Sequence, residues 1–326
     1  MARTIASGIT SVYPEAKVSC VPLSDGGEGM ADILTESSHG EVVTVPVSGP
    51  MGGIVQAWFG KSGKTAILDV ASACGLQLVP SEKRNPLLAT SKGVGELIRA
   101  AVLAGCDELI IGLGGSSTCD GGEGMMAVPG LRDLVAGVRI HALCDVGNPF
   151  LGANGAARVF APQKGADPQM VEELEKQMEE RAARIQSETG IDVSRMPRTG
   201  AAGGLGGALH AFLRADLVSG IEEVLNIVGF DKEILDAEYI ITGEGTSDLQ
   251  TLSGKVPLGV LRRSREVPVY LLSGRIKNRE ELLSAGFAGM FQVTPEDMPT
   301  TEAIKPDIAR ENIRRAAERF CKEVLD

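Results

Sequence analysis

A mixed α/β fold with parallel strands is predicted by three features of the sequence. Short apolar runs alternate with helix-spaced segments from residue 238 to the end, three more apolar runs joined by glycine turns lie between 43 and 70, and glycine-rich loops follow two of the apolar runs. Strands alternating with helices need crossover connections, and these build parallel sheets.

In chain order, Ile5, Ile9 and Val12 have helical spacing up to Pro14, and a strand is expected over Lys17 to Val21. Met30, Ile33 and Leu34 form the next helical stripe, closed by His39 and Gly40. Val43, Val45 and Val47 alternate, as do Val55, Ala57 and Phe59, and residues 64–70 follow, so an antiparallel meander is expected. Leu97, Ile98, Ala101 and Val102 share a helical face behind an N-cap at Thr90 or Ser91. Strands are expected at 109–113 and 138–144, with helices at 168–187 and 208–213. The C-terminal part then alternates strands at 238–242, 267–272 and 290–293 with helices at 256–265, 279–285 and from about 307. The contrast between meander and βα units marks a boundary near residue 46. It gives a discontinuous parallel α/β domain, residues 1–45 and 220–326, and an inserted α/β domain, residues 46–219.

Composition narrows the partners. The chain has 326 residues, a formal net charge of −11 and 43% hydrophobic residues. Such an acidic surface disfavours nucleic acid and anionic membrane, and no apolar run reaches the roughly 20 residues of a membrane helix. Six scattered cysteines without a C-x-x-C pair signal neither a disulfide framework nor a zinc site. The expectation is a cytoplasmic protein acting on a small molecule, and a homo-oligomer is compatible with it.

The chemistry concentrates after two apolar runs. The hexapeptide DGGEGM occurs twice, at 25–30 and 120–125. Each copy puts a carboxylate and several backbone N–H groups where a strand would hand over to a helix, and open α/β sheets bind ligands at such strand ends. Before the second copy, Gly114, Gly115, Ser116, Ser117 and Thr118 can read as a phosphate cradle, or as a polar loop whose hydroxyls cap a helix; the two readings weigh about equally. Asp120 is a candidate base or metal ligand, and Asp25 with Glu28 a second carboxylate pair. Glu244 and Asp248 follow the strand at 238–242, with Lys255 at the next helix, a set suited to Mg²⁺ and a transferring phosphate. Lys164 is a loop lysine able to contact phosphate. Asp145 and Asn148 form an Asx-turn-like loop, equally suited to structure or ligand. No G-x-G-x-x-G lies between a first strand and a helix followed by an acid, which disfavours a nicotinamide-dependent dehydrogenase.

Seven segments, VPLSDGGEG (21–29), RNPLLATSKGVGELI (84–98), GLGGSSTCDGGEGM (112–125), CDVGNPFLG (144–152), APQKGA (161–166), AAGGLGGAL (201–209) and ITGEGTSDLQTLSGKVPLGV (241–260), closely resemble, in order, the type I glycerate kinases. The resemblance implies a flavodoxin-like, Rossmann-like parallel domain and a restriction-enzyme-like α/β domain. It also implies ATP-dependent phosphorylation of D-glycerate, to 2-phosphoglycerate, with Mg²⁺. Within that activity, chemistry and position make Asp120, Lys255 and Asp25 the catalytic candidates. Gly114 to Thr118, Glu28, Asn85, Lys164, Gln250 and Thr251 become phosphate or substrate contacts, and Glu244 with Asp248 the metal ligands. The family pattern begins with a strand and an Asp-Ser-Phe-Lys loop ahead of the helix that opens this chain, and it is longer between 126 and 131. Thr246 stands where the pattern has arginine, and Gly147 and Ala161 also differ from it. The alternative expectation is a truncated, catalytically impaired paralogue that only binds ligand.

Overall fold

The computed structural model describes residues 1–325, the side chain of residue 253 apart. It forms two compact units, Ser24–Val224 and Met1–Leu23 with Leu225–Asp326.

The first is built on six strands: β1 (Glu41–Ser48), β2 (Ile54–Ser62), β3 (Thr65–Asp69), β4 (Glu108–Gly112), β5 (Arg139–Leu143) and β6 (Asp216–Val218), hydrogen-bonded in that order. β1, β2 and β3 are the antiparallel meander that the alternating valines predict, and β3 to β6 run parallel. Meander and parallel strands thus share one sheet, with β3 as the hinge between the two pairing modes. Leu68, Leu109 and Ile111 lie in its core with Leu97 and Ile98 of the helix Lys92–Leu103, all fully buried. Each such side chain contributes roughly 1.5–3 kcal/mol. The register sets Asp69 beside Gly112, and Gly112 beside Leu143, so three strands end in one row.

Residues 24–45, which the composition shift near 46 groups with the C-terminal βα units, here pack in the Ser24–Val224 unit. The reason is the helix Met30–Ser37, whose Met30, Ala31 and Leu34 are buried and which packs on β2 and β3. The long helix Pro168–Thr189 starts as its sequence suggests, with the Asp167 carboxylate accepting from Met170 N at 2.9 Å.

In the second unit β7 (Ile240–Thr242), β9 (Val269–Ser273) and β11 (Gly289–Gln292) form a parallel sheet in the order β11-β9-β7, and β8 (Thr246–Ser247) pairs with β10 (Arg275–Ile276). The opening helix, Ala2–Val12, packs on Pro306–Phe320. A Cβ at Gly8 would stand 2.8 Å from Ala317 Cβ, so glycine is what lets these helices approach. Ile5 and Ile9 join Ala316, Ala317 and Phe320 in the core, and the Phe320 ring meets Tyr270 at 5.2 Å and Phe291 at 5.7 Å.

One expected element is absent. Residues 17–21 have no regular secondary structure and pair with no strand, and Lys17 to Cys20 are exposed. Val18 and Val21 are three apart, so in a strand they point to opposite faces and offer neither face a row to bury. Among the described residues no helix is long and apolar enough to cross a membrane.

Candidate active site

In the Ser24–Val224 unit the site grows from the row of strand ends. After β4 the chain turns into Gly114 and Gly115, and the first DGGEGM turn lies directly on it. Gly114 N donates to Gly26 O at 3.3 Å, and a Cβ on Gly114 would stand 2.5 Å from Gly27 Cα. Gly26 in turn leans on Leu143 at the end of β5. Only glycine permits such layering, and the result brings Asp25 and Glu28 over the ends of β4 and β5.

The two hexapeptide turns are bonded differently. In the second, Asp120 is only 8% exposed and accepts four hydrogen bonds: Oδ1 from Gly122 N at 3.1 Å, and Oδ2 from Ser91 N at 2.8 Å, Ser91 Oγ at 2.9 Å and Gly124 N at 3.1 Å. In the first, Asp25 Oδ1 accepts from Gly27 N at 3.2 Å, and among the described residues no hydrogen bond reaches Oδ2. The base role expected of Asp120 therefore does not fit its surroundings. Its lone pairs are committed to a buried network, whereas Asp25 is half-buried with an oxygen to spare.

The hydroxyls of the glycine loop point inward. Ser117 Oγ donates to Cys74 O at 2.9 Å, and Ser116, Ser117 and Thr118 are all buried. Beneath them lies Lys164, only 3% exposed, whose Nζ donates to Ser116 Oγ at 2.8 Å and Thr118 O at 2.7 Å. Burial holds its pKa below the ordinary lysine value. In this conformation Lys164 braces the loop from below, and the exposed part of the cradle is Gly114 and Gly115. Asn85 turns its Oδ1 to Leu87 N at 3.0 Å, next to the Arg84 backbone that packs on Gly165.

Two further carboxylates stand at strand ends. Asp69 closes β3 and is 5% exposed. Its Oδ2 accepts from Gly29 N at 2.8 Å and Ala31 N at 3.3 Å, while Oδ1 is buried without a partner. Desolvation pushes its pKa from 3.8 up to about 7, against those two bonds. Asp145, after β5, accepts from Ser219 Oγ at 3.0 Å and Gly220 N at 2.9 Å, and desolvation, with Asp25 close by, raises its pKa to about 6. The sequence offered one cue to Asp69, an acid inside the apolar run AILDVASA. Its placement over Gly112 depends on strand register, which no local pattern reveals.

These shifts make stability depend on pH. A carboxyl whose folded pKa is raised favours the folded state below its unfolded pKa, and the advantage is lost as pH rises through the folded value. For Asp69 the window is about 4 to 7, and the loss reaches up to ~4 kcal/mol. Asp69→Asn escapes that loss. Its melting temperature is expected to rise relative to wild type between pH 4 and pH 8, with the difference smallest at pH 4; a difference independent of pH would contradict the assignment.

In the other unit Glu244 is the hub. Its Oε1 accepts from Thr251 Oγ1 at 2.6 Å and Ser247 Oγ at 3.2 Å, and Oε2 faces Lys255 Nζ at 3.4 Å. Asp248 Oδ1 accepts from Gln250 N at 2.8 Å. Buried Ser247 and Ser273 share a hydrogen bond of 2.7 Å behind it. The structure thus gathers five residues expected from sequence, Glu244, Asp248, Gln250, Thr251 and Lys255, and adds the two serines. Among the described residues no group of three or more His, Cys, Asp or Glu converges to hold a metal.

A family model described as the glycerate kinase family matches residues 1–134 and 127–325. The chain belongs to the glycerate kinase family. It is 38% identical to a glycerate kinase of Bacillus cereus and 38% identical to a glycerate 2-kinase of Escherichia coli K12, each match covering 97% of this chain and 91% of the relative. A crystal structure of a putative glycerate kinase 2 from Salmonella typhimurium LT2 superposes with a TM-score of 0.84 at 36% identity, covering 99% of this chain and 93% of that one. The fold and the kinase class thus agree with the resemblance carried by the seven sequence segments, and as a glycerate kinase family member the chain is an enzyme.

Proposed function

We propose that this enzyme transfers the γ-phosphoryl group of ATP to the 2-hydroxyl of D-glycerate, giving 2-phosphoglycerate and ADP. The observation that carries the reading is the near full-length match to glycerate kinases, one of them named a 2-kinase. Phosphoryl transfer needs positioning, charge neutralisation and a group to take the acceptor's proton. Asp25, with its unbonded oxygen, is assigned to orient the glycerate hydroxyl and accept that proton. Glu28, near Gly115, and the Gly114–Gly115 backbone line the same place. Lys255, half-exposed, is assigned to phosphate. Asp120 and Lys164 set the shape of the loop, and Asn85 is kept as a candidate substrate contact.

Magnesium fits the donor set in one form only. Mg²⁺ keeps several waters and takes one or two carboxylates plus substrate phosphates, so Glu244 and Asp248 suffice for a metal that arrives with the nucleotide. When bound, it would neutralise phosphate charge. Thr251, Ser247 and Lys255 hold the Glu244 carboxylate in one orientation for this purpose.

The test is a coupled assay for ADP release requiring D-glycerate, ATP and Mg²⁺ together. Phosphorus NMR reads the product, since a 2-phosphate couples to one proton and gives a doublet, while a 3-phosphate couples to two and gives a triplet. Glycerate binding without ADP release would overturn the reading in favour of a binding-only paralogue. Glu244→Gln is expected to raise KM for MgATP about tenfold, the effect of roughly one lost charged contact; an unchanged KM would remove Glu244 from the nucleotide site.

A further inference from the structure

The twin turns differ in the fate of one amide. In the second turn the fifth residue, Gly124, gives its N–H back to the turn's own aspartate, Asp120 Oδ2, at 3.1 Å. In the first turn the matching amide, Gly29 N, goes instead to Asp69 Oδ2 at 2.8 Å. The bond two residues along is kept in both, Gly122 N to Asp120 Oδ1 at 3.1 Å and Gly27 N to Asp25 Oδ1 at 3.2 Å. Identical sequences therefore share half of their bonding and differ in the other half, and the backbone differs with it: Gly29 is left-handed at φ 92°, whereas in the second turn Gly122 is left-handed instead, at φ 77°. The acceptor that sets the first turn apart lies outside the hexapeptide and is Asp69. β3 ends beside β4, and Gly112 on β4 leaves room for it, since a Cβ there would stand 2.5 Å from Asp69 Oδ1.

We propose that Asp69 is a positioning residue that draws the Gly29 amide away from Asp25 and so leaves the second Asp25 oxygen open to the acceptor hydroxyl. A carboxylate oxygen that already accepts a backbone N–H is a poorer acceptor for a further proton. Capture of Gly29 N by Asp69 keeps that lone pair available while holding the turn on the strand ends. Ala31 N, bonded to the same oxygen at 3.3 Å, fixes the start of the helix that follows. Asp69 does not touch substrate in this arrangement, as it is 5% exposed. The inference rests on the role given to Asp25 above.

The test compares two replacements of similar shape. Asp69→Asn retains an oxygen for the Gly29 amide; Asp69→Leu offers none, and the released amide closes on Asp25, as Gly124 closes on Asp120, once Gly29 leaves its left-handed conformation. Asp69→Leu is expected to lose at least 30-fold in kcat with KM for D-glycerate within threefold of wild type, and Asp69→Asn to restore at least tenfold of that loss. In an Asp25→Asn background Asp69→Leu should cost less than threefold more, because its target is gone. Equal activity of the Leu and Asn variants, or a full multiplicative loss in the Asp25→Asn background, overturns the proposal. Should Asp69→Leu fail to fold, Asp69→Ala is read against Asp69→Asn in the same way. An Asp25→Asn enzyme at wild-type turnover would overturn the role of Asp25 and this inference together. An inactive Asp25→Asn enzyme with equal Leu and Asn variants would overturn this inference alone.

Discussion

Replacing Asp25 with asparagine is expected to lower kcat for D-glycerate phosphorylation about 10³-fold, the middle of the range for removing a positioned general base. Asparagine keeps the shape and can still accept from Gly27 N, so folding is little disturbed. What disappears is the unbonded carboxylate oxygen assigned to take the hydroxyl proton as the phosphoryl group arrives. KM for ATP should hold within a few fold, and the melting temperature within about 2 °C, since a half-buried side chain with one retained bond contributes little to stability. Steady-state kinetics with both substrates varied checks this. Turnover above a third of wild type would mean that Asp25 is not the base.

Asp120→Ala is expected to do the opposite, costing about 3–5 kcal/mol of stability. The deletion leaves the amides of Ser91, Gly122 and Gly124 without their acceptor in a buried place, and each such donor costs roughly 1–3 kcal/mol. Ser91 Oγ also accepts from Met125 N at 3.0 Å, so the disruption extends to the base of the next helix. For a unit of this size the melting temperature should fall by about 10 °C. Thermal unfolding followed by circular dichroism would decide it; a variant that melts like wild type would refute the structural role. Two aspartates at the same place in the same hexapeptide should thus give opposite phenotypes, one catalytic and one structural.

That contrast shows how far the sequence could be read. The repeated hexapeptide, the meander and the helix faces were legible because glycine loops and valine alternation are local patterns. Most of the cluster around Glu244 was legible for the same reason, since Thr251 and Lys255 lie within 11 residues of it, while Ser247 and Ser273 were not singled out. The difference between Asp25 and Asp120 was not, because it is decided by Asp69 and Ser91, 44 residues downstream of the one and 29 upstream of the other. Lys164 likewise reads as a loop lysine able to contact phosphate until the chain folds over it and turns it to Ser116 Oγ. Residues 17–21 show the converse error, where a short apolar run suggests a strand that no neighbour supports.

The outer strand β1 bears on how copies of this chain can meet. It forms one edge of the six-stranded sheet, and Pro46 sits within it, opposite Gln56. Proline has no N–H, so at that point the rim facing away from β2 has no donor to offer an incoming strand. Exposed Glu41 adds charge at the start of the same strand. A sheet growing from molecule to molecule through this rim would meet both obstacles, which gives a concentrated solution of the enzyme a built-in guard against edge-to-edge β association at β1.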